Sequence, residues 1–257
     1  MRRTMVIIIL VVIAFAIGWY FSGANKKGWD KPVPVGTPTA APEGEGWVDL
    51  LGADHRDAWG NISDDDEIFA IEDDMIHVLG RSLKLKYVGY TTEYLDNFEL
   101  HVEVKVAPGA NSGIFLRSQP NDPVYRGFEV QVLDDNGTLP NINGSGAVYD
   151  VVTPMFNMAL PAGEWNSYDI RLYNDDVEVT MNGWLVIKTD LSKMTTPLGK
   201  FDVAYKDIPL SGMLMFQDHG GEAWYRNIRL KKLDPPPADL VATKIKPEPI
   251  EADANGE

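Results

Sequence analysis

Three short stretches carry polar side chains at the spacing a β-sheet uses to present them to a ligand. In Gly127–Asp135, GFEVQVLDD, strict alternation puts Phe128, Val130 and Val132 on one face and Glu129, Gln131 and Leu133 on the other. A carboxylate and an amide then stand two residues apart above an apolar layer. Asn111–Arg117, NSGIFLR, and Gly212–Gly220, GMLMFQDHG, end in similar groups: Asn111 and Arg117 in the first, Gln217 and His219 in the second. The alternate face of each strand is apolar, through Ile114 and Leu116, Phe128 and Val130, Leu214 and Phe216. Glu129 and His219 are the leading proton-transfer candidates, since a carboxylate and an imidazole are the usual general acid and base groups. Arg117 offers a fixed positive charge for a developing anion. Asn111, Gln131 and Gln217 offer neutral amides to a polar ligand, and Tyr149 lies near a proposed rim loop. Asp134 and Asp135 precede Asn136-Gly137 and read first as turn-formers, with Asp134 kept as a binding candidate. Glu129, Asp134 and His219 are also oxygen and nitrogen donors for a possible divalent metal ion, although no tight ligand spacing joins them.

Strands must position these groups, and the middle of the chain reads almost wholly as strands and turns. FELHVEVKV is the cleanest: Phe98, Leu100, Val102, Val104 and Val106 inward; Glu99, His101, Glu103 and Lys105 outward. EIFAIEDDMIHVLG reads as two strands about Asp73-Asp74. WNSYDIRLYNDDVEVTMNGWLVIKT reads as three, with turns at Asn174-Asp175-Asp176 and at Asn182-Gly183, a type I′ dipeptide. AWYRNIRLKKL is a last strand with Trp224, Arg226, Ile228 and Leu230 on one side. Many strands at this spacing predict a two-sheet antiparallel sandwich over residues 46–233. Its expected core contains Phe98, Leu100, Val102, Val104, Phe128, Val130 and Val132.

The flanks differ. Met5–Phe21 is uncharged and apolar, comes after Arg2 and Arg3, and ends in Trp19-Tyr20. It fits the ~17–25 residues of a transmembrane helix, with the positive side inside. A signal peptide cleaved after Ala24 is the alternative. Residues 1–24 are therefore expected to be a membrane anchor or signal segment that places the domain in the cell envelope, outside the cytoplasm. Residues 25–45, with Pro32, Pro34, Pro38 and Pro42, read as an extended linker. Residues 234–257 read as a disordered acidic, Pro-rich tail. A formal net charge of -15 disfavours nucleic acid as a partner. The absence of cysteine excludes disulfides, thiolate metal sites and a cysteine nucleophile.

DNFELHVEVKVAPGANSGIFLR, GFEVQVLDD, SGAVYD, GEWNSYDIRL, VTMNGWLV and MFQDHGGEAWYRNIRLKKL occur in this order. Together they resemble the 3-keto-disaccharide hydrolase domain family over about Gly46 to Leu233. The resemblance implies a concanavalin A-like (jelly-roll) β-sandwich and an exported, carbohydrate-active protein that cleaves 3-keto-glycosides. Two features depart from the family: GADHRDAW replaces its Asn-Gly near the start, and Ser192–Leu210 is longer than its usual link. A carbonyl at sugar carbon 3 acidifies the proton on carbon 2, so a base, an enolate stabiliser and an acid for the leaving group are what such a site needs. Two rival readings stand beside it. A glucanase-like glycosidase would need paired carboxylates, and Glu129-x-Gln131-x-x-Asp134 only echoes that pattern. A non-catalytic lectin-like module would stack sugars on aromatics such as Trp59, Tyr149 and Trp165, of which Trp165 reads more readily as core.

Overall fold

The structure, a computed structural model, describes residues 35–62, 67–82, 84–199 and 201–249. Among them the chain forms β1 (Trp47–Asp49), β2 (Trp59–Ile62), β3 (Phe69–Glu72), β4 (Met75–Leu79), β5 (Lys86–Tyr90), β6 (Phe98–Val106), β7 (Asn111–Ser118), β8 (Phe128–Leu133), β9 (Asn166–Tyr173), β10 (Asp176–Met181), β11 (Trp184–Asp190), β12 (Met213–Asp218) and β13 (Glu222–Lys232). A short helix, α1 (Ala238–Val241), comes after them. The strands form two antiparallel sheets. One runs β11-β10-β9-β6-β13-β4-β3, with β1 also paired to β13; the other runs β2-β5-β12-β7-β8. The Met5–Phe21 segment lies outside the described residues. No helix among the described residues is long and apolar enough to cross a membrane.

Alternation builds the core as expected. Phe98, Leu100, Val102 and Val104 of β6 and Phe128, Val130 and Val132 of β8 are all buried in one cluster between the sheets. Ile114, Leu116, Leu214 and Phe216 join from β7 and β12. Phe216 stacks on Tyr225 of β13 at 3.9 Å between ring centroids, and Trp59 stacks on its other side at 5.2 Å. Those rings stitch one sheet to the other; Trp59 is core, not rim. Hairpin chemistry sets the registers. Asn182 and Gly183 both have positive φ, the requirement of a type I′ turn, and Met181 pairs directly with Trp184. Asn174, at φ 54, turns β9 into β10.

Four expectations change. In β13 the alternation slips at a bulge between Arg226 and Arg229, where Asn227 has φ 51. Ala223, Tyr225, Ile228 and Leu230 therefore face the core, while Trp224 and Arg226 face out with Trp165. Trp165 is only half-buried, with the Arg226 guanidinium 3.9 Å over its ring. The second half of the expected linker is docked rather than solvated: Thr37 N–H donates to the Asn182 carbonyl, and Thr39 bonds Ser167 and Asp169. Lastly, the tail is ordered over Asp234–Pro249. Lys244 is buried against Asp175 at 2.5 Å and donates to the Lys206 carbonyl at 2.6 Å. Beyond it, Glu248 bridges Gln119 and Asn121. Composition does not reveal that a single buried lysine can anchor so polar a segment.

Candidate functional site

The outward face of the five-stranded sheet gathers most of the polar groups expected to meet a ligand. Register defines two rows. Gln217 pairs with Tyr87 of β5, and Gln131 pairs with Gly113 of β7, which lies between β12 and β8. In the adjoining row Met215 pairs with Gly89 and Phe115, and Phe115 pairs with Glu129. Residues paired across antiparallel strands share a face, so the rows stand side by side. Gly113 leaves a gap in the first row, next to Gln131. A Cβ there would come within 2.1 Å of Glu129 Oε1, so the carboxylate leans across the space that glycine leaves. Beneath lies an apolar floor of Phe115, Met215, Met213 and Ile62 with the Tyr87 ring, which meets Phe115 edge-on at 4.9 Å.

A continuous polar chain runs along this face. One end of the Gln131 side-chain amide lies 2.8 Å from Glu129 Oε1 and 3.3 Å from the Ser112 carbonyl. Its other end is 3.1 Å from the Asn111 amide. The far end of Asn111 is 2.6 Å from His219 Nδ1. The structure thus brings together Glu129, Gln131, Asn111 and His219. Tyr149 is added along the open edge of β8, where its N–H donates to the Glu129 carbonyl at 2.9 Å. Its phenol is pushed up by burial and by the nearby Glu129 and Asp150 carboxylates, and so stays a hydroxyl donor at neutral pH. Gln217 lies in the row, nearly buried.

Two expected site residues are elsewhere. Arg117, the penultimate residue of β7, has φ 52, which breaks the alternation that would have kept it beside Phe115. It is buried and donates to the Asp96 carbonyl at 2.9 and 3.1 Å, the Asn174 carbonyl at 2.7 Å and Asn97 Oδ1 at 3.2 Å. Burial pulls its guanidinium down to about 10, with Asp175 and Asp96 pulling the other way. Arg117 therefore ties the β9–β10 turn to the segment before β6; it does not line the site. Asp134 lies just beyond β8 and accepts from Gly109 N–H at 2.8 Å, holding the turn before β7. Among the described residues no group of three or more acidic or histidine side chains is placed to hold a metal ion. Glu129, Asp134 and His219 do not form one.

Sequence reasoning missed Gly113, Tyr87 and Tyr205. The signal for Tyr87 was available, because KYVGY alternates. Gly113 stood inside NSG, where glycine reads as turn chemistry. Tyr205 belongs to the long link before β12. It is buried in the main core against Phe201, and burial raises its phenol, with the Asp150 and Glu129 charges raising it further. The Tyr87 hydroxyl faces the Gln217 side chain, its partner across the strand pair, whereas the buried Tyr205 hydroxyl has no hydrogen-bond partner among the described residues.

Comparison with known proteins bears on the family and the fold. A family model described as the 3-keto-alpha-glucoside-1,2-lyase-like domain matches residues 43–231. A 3-keto-disaccharide hydrolase of Bacteroides thetaiotaomicron is 33% identical over 171 residues, which is 54% of this chain and 59% of that protein. The chain thus spans about three-fifths of the curated relative it matches. A crystal structure of a candidate glycosyl hydrolase from Parabacteroides distasonis superposes with a TM-score of 0.62 at 26% identity, covering 74% of this chain and 95% of that one. A second from the same organism gives 0.63 at 23% identity, over 73% and 99% of the two chains, and speaks to the fold.

Proposed function

Since this chain belongs to the 3-keto-alpha-glucoside-1,2-lyase-like domain family, we propose that it cleaves the bond at carbon 1 of 3-keto-glycosides, with Glu129 and His219 as its proton-transfer pair. The observation that carries this reading is the hydrogen-bonded chain from Glu129 to His219 over the Gly113 gap. Glu129 removes the proton on carbon 2, which the carbon 3 carbonyl acidifies. The electron pair moves into the enolate, the carbon 1–oxygen bond breaks, and the departing oxygen takes a proton from His219. Water then adds to carbon 1 of the enone while a proton returns to carbon 2, so the net result is hydrolysis. Arg117 is not available for the enolate oxygen, and the Tyr149 hydroxyl and Gln217 amide take its place as neutral donors. The sandwich is read as concanavalin A-like, and the substrate as an oligosaccharide or glycoside bound across the two rows.

The test is incubation of the chain with native and 3-keto glucosides, with and without divalent metal ions, while leaving-group release is monitored. Release from the keto form alone is expected. Glu129→Gln and His219→Ala should each lower turnover by about 10²–10⁴-fold, the usual worth of a positioned acid or base, with unfolding curves unchanged. Near-wild-type turnover in both variants would overturn the assignment. Saccharide binding without turnover of any keto-glycoside would favour a lectin-like module instead.

A further inference from the structure

We infer that Gln131 and Asn111 are positioning residues that fix the tautomer of His219, rather than ligands for sugar hydroxyls. The inference deepens the proposed proton-transfer role of Glu129 and His219 and rests on which atoms can face which. The end of the Gln131 amide that meets Glu129 Oε1 at 2.8 Å also meets the Ser112 carbonyl at 3.3 Å. A main-chain carbonyl only accepts, and an ionised carboxylate only accepts, so the group facing both is the NH2. The Gln131 oxygen is then turned toward Asn111, 3.1 Å away, and Asn111 must present its own NH2 there. That leaves the Asn111 oxygen facing His219 Nδ1 at 2.6 Å. An oxygen at that distance requires a proton on Nδ1.

Each donor therefore points toward Glu129, and Nε2 is the nitrogen of His219 that exchanges protons with substrate. The arrangement serves both states of the acid. As an imidazolium, His219 keeps Nδ1–H on Asn111 and offers Nε2–H to the leaving oxygen. After transfer it is neutral, with Nδ1–H still in place and a bare Nε2. Neither amide has to rotate between the two. The Ser112 carbonyl, which does not titrate, pins the first amide even when Glu129 has taken a proton. Ser112 is itself held from the inner side, where its hydroxyl meets the Gln217 carbonyl and the Tyr225 hydroxyl, each at 2.6 Å.

The experiment is long-range proton–nitrogen NMR of the imidazoles in the full chain, at a pH where His219 is neutral, with kinetics on 3-keto glucosides in parallel. Wild type should show His219 with its proton on Nδ1. Gln131→Leu should release it toward the Nε2–H form, and Asn111→Asp, whose carboxylate still accepts from Nδ1–H, should keep the wild-type tautomer. Gln131→Leu should lower kcat by about 10²-fold or more, the order that a misplaced imidazole proton costs, with KM nearly unchanged. A wild-type His219 protonated on Nε2 would overturn the inference, as would a Gln131→Leu variant that raises KM alone. The tautomer is read without turnover, so a failure of the proposed reaction, seen as active Glu129→Gln and His219→Ala variants, is recorded separately.

Discussion

Raising the pH should unfold this protein through its tyrosines, and the structure gives the steepness. Tyr87, Tyr168, Tyr205 and Tyr225 are all buried, and burial is the largest cause holding each phenol well above its ordinary value. Tyr225 shares a 2.6 Å bond with Ser112 Oγ and Tyr87 faces the Gln217 side chain, whereas the Tyr205 hydroxyl has no partner among the described residues. Below about pH 10 these phenols are protonated in both the folded and the unfolded chain, so they add no pH dependence. Above it the unfolded chain sheds their protons and the folded chain keeps them. Fewer protons bound in the unfolded state means that stability falls as pH rises, by ~1.4 kcal/mol per pH unit for each phenol. Four of them give a slope of roughly 5–6 kcal/mol per unit. Arg117 acts oppositely: with its guanidinium pulled down to about 10, the folded state loses that proton first and gains stability above that pH. It offsets one of the four slopes, leaving roughly 4 kcal/mol per unit. Against the ~5–15 kcal/mol stability of an ordinary domain, unfolding should be complete within a few units above pH 10.

Urea denaturation between pH 8 and 11.5 measures the slope, and phenolate absorbance reports the titration. The expected signature is biphasic: exposed tyrosines ionise reversibly near pH 10, and the buried set ionises only in step with the loss of near-ultraviolet circular dichroism. Tyr168→Phe should make the alkaline slope shallower by about 1.4 kcal/mol per unit. A smooth titration of all ten tyrosines near pH 10, with the folded signal intact, would refute the reasoning.

Arg117→Met should cost about 2–4 kcal/mol in urea melts, because it strands the Asp96 and Asn174 carbonyls, yet leave kcat/KM of the folded fraction unchanged. Lys244→Ala leaves Asp175 with its buried partner removed, and should cost roughly 3–5 kcal/mol and expose the tail to proteolysis. Gly113→Ala has no backbone strain to answer for, but its Cβ occupies the place of Glu129 Oε1; about a 10²-fold drop in kcat/KM with an unchanged melting temperature is expected.

The parts of the fold that were legible are those where alternation runs unbroken. β6 and β8 keep period two from end to end, and every apolar residue assigned from that period to their inner faces is buried. The same regularity placed Glu129 and Gln131 together on the outer face. The turns were legible where their chemistry is local, as at Asn182-Gly183. What failed is what depends on one residue adopting a left-handed conformation inside a strand. Arg117 at φ 52 and Asn227 at φ 51 each shift the parity of the residues C-terminal to them. Nothing in IFLRS or YRNIR announces that shift, because such a conformation in a non-glycine residue is stabilised by partners far away in sequence. For Arg117 those partners are 20 to 57 residues distant.

The same distinction explains why only some of the residues expected at the site share one face. Chemistry alone favoured Arg117, since an enolate wants a fixed cation. A guanidinium buried at 1% exposure, with four of its five N–H groups on three main-chain acceptor bonds and a side-chain amide, is out of reach of a ligand on the outer face. The face that remains has a carboxylate and an imidazole joined by two neutral amides, above a floor of rings and methionines. In the proposed reaction the charge change on taking a proton at one end is matched by the change on giving one at the other. A site built this way has less need of a permanent cation, because the proton chain supplies the balance that Arg117 was expected to provide.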